Sequence, residues 1–365
     1  CYQCQDIINF ARMTTTSFEP QPLQQMCDKF QLNYTPELIN KVIYVYNENK
    51  NNKLRQIDFT DMIVLPVELG LVNGEYDYVL LDEAQDLNNC QRTFIEKMLK
   101  KDGRLIFVGD EKQCIYGFSG SEIDSLQRLQ NRPNTINLAL TTTYRCAKAV
   151  VAKAKEIYSD VIDAYQDNIE GQVIEDDSID NIQADDIVIC RTTLPLVVLF
   201  FELLQRGVKC QIVGKDYESG LQDIANRCVS TSLDETLINL SQYLETVENK
   251  LVEKKVQKPH KHPTYIAAEE QVEILKVILL NIDNPANLGK VVQDIFSNEK
   301  GGVRLMTIHR SKGLEADNVF MITHYQGEKL NPHKSATQDW EKIQEQNLLF
   351  VAYTRAKKKL SFITL

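Results

Sequence analysis

Short apolar runs alternate with amphipathic helical patterns along most of this 365-residue sequence. Helical patterns occupy residues 91–100, 147–158, 194–205 and 340–353, between runs that have the length and composition of strands. The apolar runs are DYVLL (77–81), RLIFVG (104–109), TINLAL (135–140), DIVIC (186–190), KCQIV (209–213), VRLMTIH (303–309), NVFMIT (318–323) and LSFITL (360–365). Strands and helices that alternate at this spacing form parallel sheets with crossover helices, so the pattern predicts an α/β fold.

Two regions depart from this alternation. Residues 1–52 have a polar, helical pattern that ends in a loop at ENKNNK. Residues 223–298 contain no clear strand, but they include the helix candidate Ala267–Leu280 and the basic loop KKVQKPHKHP (254–263). We interpret this region as a helical insertion in the second α/β domain. The alternative is that it is simply more of the same domain.

Composition limits the class of protein. Hydrophobic residues make up 43% and charged residues 25%, which is typical of a globular chain with a sizeable core. No apolar stretch approaches the ~20 residues of a membrane helix, so no membrane association is expected. The net charge of −10 argues against a globally basic nucleic-acid binder, yet it permits a local basic groove. Nine scattered cysteines indicate reduced thiols and an intracellular protein of the cytoplasm, nucleoid or nucleus.

Acidic residues follow two of the predicted strands. Asp82 and Glu83 come directly after YDYVLL, and Asp110 comes after RLIFVG. One crossover helix separates the two strands, which can therefore be neighbours in a sheet. Ligands of open α/β sheets bind at the carboxyl ends of strands, where one acid could hold Mg²⁺ and another could orient a water for phosphoryl transfer. A solvated turn is the alternative for the Asp-Glu pair taken alone.

Five stretches resemble, in order and spacing, the motifs of superfamily 1 DNA helicases of the UvrD/Rep/PcrA type. A shorter stretch, IDFTDM (57–62), resembles a motif found upstream of them. The five are LLDEAQD (80–86, motif II), VGDEKQCIYGFSG (108–120, motif III), TYR (143–145, motif IV), TIHRSKGLE (307–315, motif V) and VAYTRA (351–356, motif VI).

The resemblance implies two RecA-like parallel-sheet domains, of which the first is incomplete. It covers roughly residues 56–215 and 300–365 and predicts a division of the chain into subdomains. These are the remainder of the helical 1B subdomain (1–55), a partial 1A domain (56–138), a 2A domain in two parts (139–222 and 299–365) and a helical 2B-like insertion (223–298).

The family roles of the first domain fall on three residues. By the resemblance, Asp82 binds Mg²⁺ and Glu83 activates the water that attacks ATP. Gln113 senses the γ-phosphate of ATP and reports it to the DNA groove.

The second domain is expected to contribute further nucleotide contacts. By the resemblance, Arg145 and Arg355 act as arginine fingers on the γ-phosphate, a role that suits a planar and permanently charged side chain. Glu315 is expected to contact the ribose.

Three residues are expected to contact DNA. Tyr116 and Phe118 flank Gly117 in a polar segment, where aromatic faces can stack on bases of any sequence. A core role for either ring is the alternative, and the family usually has Trp at the position of Phe118. The resemblance places His309 on the DNA side of motif V.

A phosphate-binding loop of the form G-x-x-x-x-G-K-[ST] is absent from the sequence. The only glycines before Asp82 are Gly70 and Gly74, and the family's adenine-contacting Gln motif and motifs Ia and Ib are missing as well. Together with the missing initiator Met, this predicts an N-terminal truncation rather than a degenerate enzyme. The first sheet is then expected to be incomplete, with an exposed edge.

These observations predict an ATP-dependent DNA helicase or translocase in the intact protein, acting on single-stranded and duplex DNA. The segment QCIYGF follows the 3′→5′ relatives, because 5′→3′ relatives carry prolines there. The chain alone is expected to be inactive as an ATPase. Two alternatives stay open: a non-catalytic DNA-binding or scaffold remnant of a helicase, and the helicase part of a helicase–nuclease subunit.

Overall fold

The computed structural model describes residues 2–30, 32, 34–51, 57–116, 125–253, 256, 258–296, 301–334, 336 and 338–365. The chain divides into two compact units, Cys1–Leu138 and Ala139–Leu365. No helix in the described ranges combines the length and the apolar character that a membrane span requires.

The first unit contains six helices and two strands within its described residues. They are α1 (Tyr2–Met13), α2 (Pro20–Phe30), α3 (Pro36–Asn51), α4 (Asp61–Glu68), β1 (Tyr76–Leu81), α5 (Asn89–Met98), β2 (Leu99–Phe107) and α6 (Ser125–Gln130). Helices α1–α3 share a small core of their own around Ile7, Leu23 and Ile39, each no more than 1% exposed.

Strands β1 and β2 form a parallel pair that α5 connects. Asn88 starts α5 with a capping box, in which Asn88 and Gln91 each bond the other's backbone N–H. Leu81, Leu105 and Phe107 pack on a cluster that includes α6. This βαβ unit confirms the prediction that the acids of the two motifs follow neighbouring strands.

The other face of this two-stranded sheet is open. Tyr78, Leu80 and Ile106 are 58%, 75% and 48% exposed, although their register places them side by side. Parallel sheets are normally covered on both faces. The sheet of the first unit, as described, therefore has one covered face and one exposed apolar face.

The second unit is built around a sheet of seven strands. Its strands are β5 (Gln172–Ile174), β6 (Ile187–Cys190), β7 (Cys210–Ile212), β8 (Val303–Thr307), β9 (Ala316–Tyr325), β10 (Glu328–Lys329) and β11 (Ala356–Thr364), and two short strands, β3 (Thr142–Thr143) and β4 (Asp163–Ala164), come before them in the chain. The main path has the order β5-β11-β9-β6-β8-β7, all parallel, and β10 pairs antiparallel with β9. The pair β3–β4 stands outside this sheet.

Helices connect these strands and cover the sheet. They are α7 (Lys148–Lys155), α8 (Leu194–Gln205), α9 (Lys215–Cys228), α10 (Leu233–Glu253), α11 (Pro263–Leu280), α12 (Leu288–Ile295), α13 (Ile308–Ser311) and α14 (Asp339–Tyr353). Every residue of β6 is buried, as its continuous apolar run and central place in the sheet require.

The region between β7 and β8 is helical, as the sequence predicts, and it shares the core of the sheet. Leu221, Leu240 and Leu275 come from α9, α10 and α11, and they belong to one buried cluster with Val188 of β6 and Leu305 of β8. The helices therefore continue the hydrophobic core of the second unit. The assignment of residues 223–298 to a 2B-like subdomain stays a prediction.

Three local predictions were wrong. TINLAL (135–140) forms no strand, and Ile136 and Leu138 are 83% and 87% exposed, because no partner strand lies beside this segment in the described part of the chain. Strand β8 ends at Thr307, and the rest of VRLMTIH turns into α13. Helix α3 extends into the predicted ENKNNK loop, as far as Asn51.

Candidate functional site

The acidic residues of motif II lie at the carboxyl end of β1. Asp82 and Glu83 are both exposed there, and Asp82 Oδ1 accepts a hydrogen bond from the Glu83 backbone N–H at 2.9 Å. Glu83 has a φ of 52°, in the left-handed region that non-glycine residues seldom adopt. Such backbone strain is concentrated at functional sites, and here it turns the chain sharply at the strand end.

Gln85 connects the ends of the two strands. Its side chain is 1% exposed, and its Oε1 accepts the backbone N–H of Asp110 at 3.0 Å while its Nε2 donates to Glu83 at 2.5 Å. A Cβ on Gly109 would lie 2.7 Å from this Oε1, so only glycine permits the contact. Gln85 is not among the residues predicted from the sequence, although it lies within LLDEAQD.

Motif III continues from the end of β2. Asp110 accepts hydrogen bonds from the Lys112 backbone N–H at 3.0 Å and from Gln113 Nε2 at 2.8 Å. The predicted γ-phosphate sensor Gln113 is thus held against the strand end that Gln85 also contacts. Tyr116 is half-buried, and Phe118 lies outside the described residues.

The second unit brings three of the predicted nucleotide residues together at the amino ends of β9 and β11. Arg145 Nε pairs with a carboxylate oxygen of Glu315 at 2.8 Å, and Lys357 approaches the same carboxylate at 3.8 Å. The side chains of Arg145 and Glu315 are 47% and 42% exposed, so both can be reached by a ligand.

Arg355 lies next to this pair but is 2% exposed. Its Nε donates to the Val351 carbonyl at 2.9 Å, and its Nη1 donates to the Leu314 carbonyl at 3.2 Å. Its guanidinium therefore ties the end of α14 to motif V. This is a structural arrangement, and the arginine-finger role of Arg355 stays a prediction.

Tyr144 is an aromatic residue that was not predicted from the sequence to belong to the site. It is 72% exposed, and its ring centroid lies 4.7 Å from that of Tyr165 at an interplanar angle of 38°. It directly precedes Arg145 in the chain, so an exposed flat ring is attached one residue from the Arg145–Glu315 pair. An aromatic inside the TYR motif, before a predicted functional Arg, was the available signal.

A cavity of about 500 Å³ opens at the carboxyl ends of β6, β7 and β8, the opposite edge of the same sheet. Thr193 is one of its walls and donates its backbone N–H to Glu270, another wall residue, at 2.8 Å. The polar and small residues that line the cavity include Arg191, Thr192, Gly214, His309, Arg310 and His333. The predicted DNA contact His309 is therefore a wall of this cavity and stands apart from the Arg145–Glu315 pair.

The two histidines of the cavity have depressed pKa values. Burial, reinforced by the charge of Arg191, lowers the pKa of His309 to about 4, although Glu345 acts in the opposite direction. The pKa of His333 is lowered by burial and by Arg191 as well. Both imidazoles are neutral near pH 7, so the positive charge of the cavity wall comes from Arg191 and Arg310.

Comparison with known proteins gives two family matches. Residues 6–134 match the UvrD/REP helicase N-terminal domain, and residues 302–363 match the UvrD-like helicase C-terminal domain.

Individual relatives are named as DNA helicases. The F-box DNA helicase protein 1 of Schizosaccharomyces pombe is 26% identical over 321 residues, which cover 80% of this chain and 34% of that protein. DNA helicase II of Escherichia coli is 28% identical over 126 residues, 32% of this chain and 17% of its own. The ATP-dependent DNA helicase PcrA of Staphylococcus aureus is 27% identical over 124 residues, with 32% and 17% coverage. The chain thus spans about a third or less of the length of these three relatives.

Proposed function

Because this chain belongs to the UvrD/REP helicase family, we propose that it is part of an ATP-dependent DNA helicase. The acids at the end of β1 carry the proposal. Asp82 and Glu83 are exposed at the strand end, and the buried Gln85 fixes that end to the neighbouring one. This places two carboxylates where open α/β sheets bind ligands.

Asp82 is the proposed ligand of Mg²⁺. This ion is bound in nucleotide sites by one or two carboxylates together with phosphate oxygens and waters, and the exposed carboxylate of Asp82 suits that requirement. The bound ion would neutralise charge on the phosphates of ATP. Glu83 is the proposed base, which orients the attacking water and accepts its proton. Gln113 is the proposed sensor of the γ-phosphate.

In the second unit, Arg145 is the proposed contact to the γ-phosphate and Glu315 to the ribose. Their mutual ion pair holds the guanidinium in place while both groups remain half exposed. Tyr144, exposed beside them, offers a face on which a nucleotide base can stack. Arg355 is proposed as a second arginine finger, provided that its guanidinium leaves the backbone carbonyls that it contacts here.

Single-stranded DNA is the proposed nucleic-acid ligand. The cavity beside His309 offers a phosphodiester two arginines, three threonines and a glycine backbone, and its one carboxylate, Glu270, already accepts the Thr193 backbone N–H. Tyr116 and Phe118 are proposed to stack on bases. Translocation in the 3′→5′ direction is proposed from the QCIYGF segment.

The test is unwinding by the full-length natural protein. We expect ATP-dependent displacement of a strand from a duplex with a 3′ single-stranded tail, and none from a duplex with a 5′ tail. The Glu83→Gln variant is expected to bind ATP normally and to lose roughly 10²- to 10⁴-fold in hydrolysis, because it lacks the base. Glu111→Gln changes a nearby acid after β2 and serves as the control. A Glu83→Gln variant that turns over ATP within a few-fold of the wild type would exclude Glu83 as the base.

A second function is favoured by one observation, the absence of a phosphate-binding loop from the 365 residues. This second function is binding of DNA without hydrolysis of ATP. DNA affinity together with no DNA-stimulated hydrolysis in the full-length protein would support it, whereas hydrolysis that depends on Glu83 would exclude it.

A further inference from the structure

Glu345 is a buried carboxylate in α14 that accepts hydrogen bonds from three residues of two other segments. Arg191 Nη2 donates to Oε1 at 2.6 Å, and Nε donates to both Oε1 and Oε2 at 2.9 and 3.1 Å. Asn331 Nδ2 and the His333 backbone N–H donate to Oε2 at 2.9 and 3.0 Å. The residue as a whole is 4% exposed. A carboxylate this deeply buried costs several kcal/mol unless donors surround it, so its position is tightly specified.

Two of these donor residues are walls of the cavity at the carboxyl ends of β6–β8. Arg191 directly follows β6, and His333 lies in the loop between β10 and α14. Glu345 is not itself a wall of the cavity. It therefore stands behind the wall and fixes the position of two groups that form it.

The geometry of the pair leaves part of Arg191 for another partner. Glu345 engages Nε and Nη2 of the guanidinium, but not Nη1. Two parallel bonds to one carboxylate set the plane of an arginine far more strictly than a single contact. A lysine could supply the charge but could not be held in this way.

We propose that Glu345 is a positioning residue for nucleic acid, which holds Arg191 so that its remaining N–H groups contact a phosphodiester of single-stranded DNA in this cavity. The proposal rests on the proposed DNA-binding function and adds to it a residue that does not touch the ligand. It also connects DNA binding to α14, the helix that ends just before Arg355.

The direction in which Glu345→Gln changes DNA affinity separates this role from a simple charge effect. Glu345 adds a negative charge near the proposed binding site of a polyanion, so by charge alone Glu345→Gln should tighten DNA binding. If Glu345 positions Arg191, the same variant should weaken binding even though the unit becomes more positive.

The experiment measures binding of a fluorescein-labelled oligothymidylate to the protein by fluorescence anisotropy over a series of salt concentrations. We expect Glu345→Gln to weaken binding roughly tenfold, the size expected for one charge-assisted hydrogen bond. The slope of log affinity against log salt should fall in magnitude by about 0.7, as for the loss of one phosphate contact on a single strand. Glu202→Gln is the matched control, since it removes a surface pair between Glu202 of α8 and Arg206, neither of which lines the cavity.

Arg191→Lys keeps the charge and the acidic partner and provides a milder variant should Glu345→Gln fail to fold. The proposal predicts that it also weakens binding roughly tenfold, whereas a pure charge role predicts no change. In an Arg191→Ala background, Glu345→Gln should weaken binding no further, because both changes remove one contact.

The outcomes are distinguishable. A wild-type protein that does not bind the oligonucleotide overturns the DNA-binding function and this proposal with it. Wild-type binding, together with unchanged or tighter binding by folded Glu345→Gln or Arg191→Lys, overturns only the role of Glu345. Additive losses in the double variant would show that Glu345 acts on DNA independently of Arg191.

Discussion

Arg145 and Arg355 have the same predicted role, but the second unit holds their guanidinium groups in different environments. Arg145 is about half exposed and pairs with Glu315. Arg355 is buried and donates to the carbonyls of Val351 and Leu314. The same substitution should therefore have different consequences for stability at the two positions.

We expect Arg145→Ala to change the free energy of unfolding by no more than about 1 kcal/mol, because exposed ion pairs contribute little. Arg355→Ala should cost about 1–3 kcal/mol or more, since it removes a buried guanidinium together with its hydrogen bonds to the Val351 and Leu314 carbonyls. Urea unfolding of the two variants measures the difference. If Arg145→Ala destabilises as much as Arg355→Ala, the burial of Arg355 is not what stabilises this region. In the full-length protein, a loss of ATP hydrolysis in Arg145→Ala at unchanged stability would support its role on the nucleotide.

His309 gives a prediction about pH. Its pKa is lowered from 6.5 to about 4 by burial and by Arg191, against the opposing charge of Glu345. At a pH between about 4 and 6.5, His309 therefore binds a proton in the unfolded chain but not in the folded chain. Stability should therefore be full above pH 6.5 and should fall as the pH is lowered toward 4, by roughly 3 kcal/mol for this group.

Urea unfolding at pH 7 and pH 5 tests this. The stability lost between the two conditions should be smaller in His309→Gln than in the wild type, by about 2 kcal/mol. Some pH dependence should remain, because the pKa of His333 is lowered too. His260→Gln makes the same substitution at an exposed histidine outside the cavity and is the control for the substitution itself. Equal pH dependence in His309→Gln and the wild type would show that His309 is not held neutral by the fold.

At the scale of elements, the core shared by α9–α12 and the sheet makes a prediction about cooperativity. Leu275 of α11 is fully buried in the cluster that contains Val188 of β6. Leu275→Ala should lower the free energy of unfolding by about 2–5 kcal/mol. Leu280, at the end of the same helix, is 66% exposed, and Leu280→Ala should change it by no more than about 0.5 kcal/mol.

The single tryptophan, Trp340 in α14, reports on this transition by fluorescence. If the helices and the sheet unfold together, Leu275→Ala shifts the midpoint of the Trp340 transition in the same way as a destabilising substitution in the sheet would. A Trp340 transition that Leu275→Ala leaves unmoved would mean that the helical region unfolds as a separate domain.

The strands that could be predicted from sequence are those whose apolar runs find partners. DIVIC and NVFMIT became β6 and β9, in the interior of the seven-stranded sheet. TINLAL is also largely apolar but has no neighbouring strand in the described residues, so its backbone forms no ladder. The hydrophobic pattern of a segment predicts a preference for extended structure, whereas its pairing in a sheet depends on whether another strand lies beside it.

The same limit applies to the candidate site. The order of the motifs identified Arg145 and Glu315 as expected nucleotide contacts, and in the structure these two side chains form an ion pair. It could not predict the burial of Arg355 or the contact between Arg191 and Glu345, because both depend on how α14 packs. Sequence assigns residues to a role, but the direction in which a side chain points is set by tertiary contacts.

At the scale of the whole molecule, two features of the sequence limit what the 365 residues can do. The net charge is −10, so any DNA affinity has to come from a local cationic region rather than from overall attraction. No G-x-x-x-x-G-K-[ST] loop is present to hold the phosphates of a nucleotide through its backbone N–H groups. The two activities proposed for the full-length protein should therefore separate in this chain.

We expect the purified 365-residue chain to bind single-stranded DNA but not to hydrolyse ATP, with or without DNA. The acids at the end of β1 can supply a base and a metal ligand, yet without a phosphate cradle the nucleotide is not held in line for attack. Release of inorganic phosphate, measured with and without oligothymidylate, tests this, and anisotropy with the same oligonucleotide confirms that the chain is folded and active in binding. The Glu83→Gln chain is the control for contaminating ATPases, which it would leave unchanged. DNA-stimulated hydrolysis by the wild-type chain that disappears in Glu83→Gln would contradict the prediction and would mean that another part of these 365 residues binds the phosphates.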